Sequence, residues 1–173
     1  MDLNIFKHTG RFLILISIQV VILNHIYFGG YITPHIYPLF ILLLPFDIKG
    51  WVLLVAAFFS GLGVDMFSDS MGMHASASVF MAFMRPAIIR LISIKTDFDP
   101  GAEPRIENNG LGWILLYTVL LLFLHHLALF VIEVFRFDEI PQILFRTLLS
   151  TGFSLVVIMI AHLLMTKPSG SRT

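Results

Sequence analysis

The sequence predicts an all-α, polytopic membrane protein of six transmembrane helices, with a short second span and both termini cytoplasmic. Three observations carry that reading. Of 173 residues, 57% are hydrophobic and 13% charged, with a mean hydropathy of +0.89, whereas an ordinary soluble domain carries about 25% charged residues. No charge lies between Arg11 and Asp47, and as a single helix that stretch would measure roughly 52 Å, against a hydrocarbon core of about 30 Å. Further apolar runs of span length follow, separated by short polar turns.

The spans are read in order within one integral membrane domain, residues 1–173. The first, about 11–28, is read as retained, because no small-residue cleavage site of the A-x-A type follows it. A hinge at Phe28-Gly29-Gly30-Tyr31 turns the chain, since glycine leaves the helical region easily and Pro34 suits the first turn of a new helix. The second span, about 34–46, carries Pro34, Pro38 and Pro45. Because Pro38 would remove a hydrogen bond just past the first turn, this span is short, kinked or partly re-entrant.

A turn at Asp47-Ile48-Lys49-Gly50 leads into a third span, about 51–67, and the segment 68–72 turns into a fourth, about 73–94. Residues 96–110, with four acidic side chains and one basic, form the only long polar loop; it is read either as solvated or as a dock for a basic partner. Spans at about 111–135 and 141–165 complete the set, and 167–173 is read as a tail. Lys7, Arg11, Lys49, Arg90, Lys95, Arg105, Lys167 and Arg172 fall on one side and Arg136 alone on the other, so the first side is cytoplasmic.

Several function classes are disfavoured. The 11 Lys and Arg balance 11 Asp and Glu, leaving no basic excess to hold nucleic acid. With zero Cys there is no disulfide, thiolate metal site or thiol nucleophile. A rhomboid-type protease needs G-x-S, but Phe58 stands two before Ser60. A membrane phosphatase needs a lysine seven before an Arg-Pro, but Ser78 stands seven before Arg85-Pro86. No H-E-x-x-H or Walker loop occurs. These absences point to a non-enzyme without cofactor. Seven histidines are present, with only His125 and His126 adjacent; neighbours point about 100° apart on a helix, so cross-helix hydrogen bonding is preferred to metal binding.

The residues singled out lie mainly on the third and fourth spans. Ala57, Gly61 and Asp65 recur every four residues on one helix face, a small-residue seam ending in a carboxylate; Ser78, Ala82 and Arg85 form a comparable face. Spans three and four therefore form a close antiparallel pair. Asp65 is read as accepting hydrogen bonds from the following loop, with a proton or ion relay as the alternative. Arg85, beside a kink at Pro86, is expected to snorkel to lipid phosphate or to meet Asp47. Glu133 and Arg146 should meet as an ion pair across the last hairpin, since each alone is expensive in lipid.

The layout, with Thr33-Pro34 before a short apolar second span, and Ser60-Gly61-Leu62-Gly63-Val64-Asp65-Met66-Phe67-Ser68 followed by Gly72, resembles the rod shape-determining protein MreD family. The resemblance spans nearly the whole chain in layout, and its specific part is the Pro34 region and the Gly61–Gly72 segment. His35 departs from the acidic or amide residue common after the proline in that family. The resemblance implies a scaffold in the bacterial inner membrane that binds MreC directly, and MreB, RodA and a class B penicillin-binding protein through the complex, surrounded by membrane lipids. Pro34, Gly61, Asp65 and Gly72 are the positions carried over, with a groove near spans three and four holding the MreC helix. The competing class is the substrate-binding subunit of an energy-coupling-factor vitamin transporter, of similar architecture, in which Asn24, His125 and His126 would line a pocket.

Overall fold

A computed structural model describes residues 5–26, 32–93, 98–135 and 137–165, and among these the regular structure is helical, with no strand. The hinge expected at 28–31, Lys95, Arg136 and the tail at 167–173 lie outside the described residues. The helices are α1 (Ile5–Val21), α2 (Pro38–Leu42), α3 (Gly50–Ser68), α4 (Met73–Ile92), α5 (Ile106–Asn109), α6 (Leu111–Val134) and α7 (Ile140–Met165). Five stretches are long and apolar enough to cross a bilayer: Phe6–His25, Gly50–Ser68, Met73–Ile92, Leu111–Val134 and Ile140–Leu164. The chain is a multi-pass helical membrane protein.

Boundaries of the last four long helices fall within two residues of those expected. The first starts earlier, at Ile5, because Lys7 and Arg11 do not end it: both side chains bind Glu103 of the α4–α6 connection. Glu103 is one of the acids of the long polar loop, but it is buried and already committed to cations of this chain.

The expected second span differs most. Only Pro38–Leu42 is helical, about 7.5 Å at the standard rise. Pro38 occupies the first turn of that helix, where its missing N–H costs nothing, so the helix starts at Pro38 and not at Pro34. Residues 34–45 are all buried. This segment nonetheless runs the length of the bundle: Ile36 N–H is bound by Gln19 near the end of α1, whereas Phe46 N–H is bound by Ala102, next to the Glu103 cluster at the start of α1.

Packing follows chain order. α3 lies against α4, α4 against α6 and α6 against α7, while α1 closes over α2 and α3. The main core joins Leu39, Ile41, Leu53, Met81, Leu121 and Ile158 around the broken segment. α4 continues through Pro86 to Ile92.

Candidate functional site: an internal seam, a polar frame and two openings

The α3–α4 seam forms because small residues let the two backbones touch. A Cβ added at Gly61 would fall closer than 3.0 Å to the His74 carbonyl oxygen and to the Ala75 backbone. Ala57, Gly61, Ser78 and Ala82 are all buried. The close pairing of the third and fourth spans expected from these small residues is what the structure has, and because α4 takes up the seam, Gly61 and its neighbours are not open to a partner helix.

Asp65 completes the seam. The first N–H groups of a helix have no intrahelical acceptor, and Gly72, at the N-cap of α4, offers no side chain. The Asp65 carboxylate accepts the backbone N–H of His74 at 3.1 Å and of Ala75 at 2.9 Å, together with the Ser70 hydroxyl and the His74 ring at 3.0 Å. It is a cap supplied by a neighbouring helix, favoured further by the helix dipole. Gly72 adopts φ +87°, and a Cβ added there would meet nothing within 4 Å, so its role is the turn and not helix packing.

Arg85 does not snorkel. It is 1% exposed, and its guanidinium donates to the Leu44 and Pro45 carbonyls and to the Tyr117 hydroxyl at 2.7 Å. Irregular backbone survives at membrane depth only where protein satisfies its polar groups. The broken segment has such a frame along its length. Ser150 Oγ accepts Thr33 N–H at 3.2 Å, Ser154 Oγ accepts His35 N–H at 2.8 Å, and Gln19 accepts Ile36 N–H at 2.8 Å while donating to Pro34 O at 3.2 Å. Tyr117 donates to Leu42 O at 3.1 Å.

Inside this frame four imidazoles gather. The ring centroids of His74, His125 and His126 lie 5.2–5.9 Å from that of His35. His126 Nδ1 faces the Leu122 carbonyl at 2.8 Å and so carries the proton, leaving Nε2 to accept from His35 Nδ1 or Ser154, each at 3.3 Å. His125 Nε2 meets the Tyr37 hydroxyl at 2.6 Å. No group of three His, Asp or Glu side chains among the described residues has the arrangement of a metal site. The sequence alone shows no convergence of these polar groups; the structure has one, because His35 and Tyr37 on the broken segment meet α4 and α6.

Two openings flank these features. A cavity of about 630 Å³, reached from the end of the bundle where α3 and α6 finish, is walled by Gln19, Asn24, His35, His74, Glu133 and Arg146. Asn24 thus lines a cavity as the transporter class requires, while His125 and His126 lie behind its wall. Arg146 bridges both Glu133 oxygens at 3.2 Å and sits 4.4 Å from the Phe130 ring centroid. The second opening, about 990 Å³, runs along the outer flank of α3 and α4 and is lined mainly by Leu54, Phe58, Leu62, Val79, Phe80 and Phe83.

At the opposite end Glu103 accepts from Lys7 at 2.6 Å, Arg11 at 3.0 Å and Arg105 at 2.8 Å. Burial alone would raise its pKa, but the bonds from Arg11, Lys7 and Arg105 outweigh burial and hold it down at about 2.

Signals for the frame do exist in the sequence. Ser150 and Ser154 share a face at four-residue spacing, and a proline-rich apolar segment needs external hydrogen-bond partners. Compared with protein-family models, with curated proteins and with solved structures, the chain matches none of them.

Proposed function

We propose that the chain is a non-enzymatic scaffold of the bacterial cell-elongation complex in the inner membrane, crossing it six times with both termini in the cytoplasm. On this reading the broken segment is the second crossing, which returns the chain between α1 and α3, and the lysine and arginine bias favours the Glu103 end as the inner one. MreC is the direct partner; MreB, RodA and the class B penicillin-binding protein are reached through it. The observation that carries the reading is the apolar groove on the outer flank of α3 and α4, on the same two helices that carry the Gly61–Gly72 resemblance. Its walls present Phe58 and Phe83, 44% and 65% exposed, to a partner helix at membrane depth, where packing drives association.

Tagged protein purified from native membranes in mild detergent, with mass spectrometry of everything retained, tests this. Recovery of MreC with the synthase pair supports the scaffold; their absence contradicts it.

A second reading, the substrate-binding subunit of a small-molecule transporter, is favoured by the polar cavity beside His35 and His74. The same experiment separates the two, since that reading expects ATPase subunits or a bound small molecule.

A further inference from the structure

Between α1, the broken segment and α3 lies a slot of about 220 Å³, walled by Phe12, Phe40, Leu44, Ile48, Val52 and Ala56, with His8 at its mouth. It is far too small for a helix and almost wholly apolar. Beside His8 stands the cationic end of α1, where Lys7, Arg11 and Arg105 converge on one carboxylate, Glu103, with His8 Nε2 4.0 Å from the same carboxylate. The cations of this cluster outnumber the carboxylate they share. Arg11 is turned inward, but Lys7 keeps 40% of its side chain exposed. Lys49, next to the slot residue Ile48, adds another exposed cation.

We propose that this is a binding site for an anionic phospholipid, with one acyl chain in the slot and its phosphate held by Lys7 and Lys49. An apolar slot ending at basic side chains at the edge of the hydrocarbon region matches the two halves of such a lipid. Long cationic side chains at helix ends extend toward headgroups, and anionic surfaces attract basic segments. The bound chain would lie against Phe40 and Leu44 of the broken segment, in the slot that they line between α1 and α3.

Native mass spectrometry of the detergent-purified full chain, offered phosphatidylglycerol or phosphatidylcholine with identical acyl chains, tests the site. We expect phosphatidylglycerol to be retained about fivefold over phosphatidylcholine or more, a preference set by the cations. Lys7→Gln with Lys49→Gln should bring the two lipids to parity, and Ala56→Trp, which fills the slot, should lower retention of both. Equal retention by the wild type, an unchanged preference in the lysine variant, or full retention by Ala56→Trp would each overturn the proposal. Inorganic phosphate should not raise the thermal midpoint; protection by phosphate equal to that by the lipid would make this a phosphate site and overturn it as well.

Discussion

The Asp65 carboxylate on α3 accepts the Ala75 N–H of α4 at 2.9 Å, so the end of one membrane helix caps the start of the next. The same carboxylate also binds His74 N–H and the Ser70 hydroxyl, which fixes the intervening turn. Asp65→Ala should lower stability by about 2–3 kcal/mol, the sum of a lost cap and buried donors left without acceptors. Asp65→Asn, which keeps one acceptor, should cost less. Thermal unfolding in detergent compares them.

Gly61 and Gly10 give opposite expectations when a side chain is added. A Cβ at Gly61 overlaps the backbone of α4, whereas at Gly10 nothing lies within 4 Å. Gly61→Leu should destabilise by at least about 2–3 kcal/mol through overpacking, with loss of monodisperse protein on size-exclusion chromatography. Gly10→Ala should be neutral or stabilising by up to about 1 kcal/mol.

Arg85→Met should cost about 3–5 kcal/mol, because Leu44 O, Pro45 O and the Tyr117 hydroxyl lose a buried charged donor together. Tyr117→Phe should cost less, about 1–3 kcal/mol. The two losses should not add, since both groups serve one frame. Denaturant titration of the single and double variants measures the coupling.

Charge reversal at Glu133 or Arg146 alone should reduce expression, and reversal of both should restore it. The effect should stay below about 1 kcal/mol, because Glu133 is 41% exposed.

The Glu103 cluster predicts a pH dependence of definite sign. Its pKa in the fold, about 2, lies below the ordinary value of 4.5. The contribution is therefore complete above about pH 5 and is lost as pH falls from there toward 2. Glu103→Gln should flatten that limb of the stability profile, measured by thermal unfolding across the acid range.

The long helices are legible in the sequence because each is an apolar run of bilayer length bounded by charged or glycine-containing turns, and Asp65 at a helix end reads as a loop acceptor. The small-residue seam and the pairing of α3 with α4 are also legible, from Ala57, Gly61 and Ser78 on helices joined by a short turn; what the sequence leaves open is whether the seam has room for a partner helix as well, and the contact at Gly61 shows that it has none. Arg85 misleads because its depth along α4 suggests a headgroup. Its true partners are carbonyls on a segment forty residues away, a separation that helical periodicity cannot report. The imidazole cluster is hidden for the same reason.

The scaffold reading depends most on the outer groove of α3 and α4. A photo-crosslinking amino acid placed at Val79, which lines that groove, and separately at Leu148, exposed on α7, would be activated in native membranes. We expect an adduct with a single-span partner from position 79 and none from position 148. No adduct at 79, or the same partner captured equally at both, would contradict it.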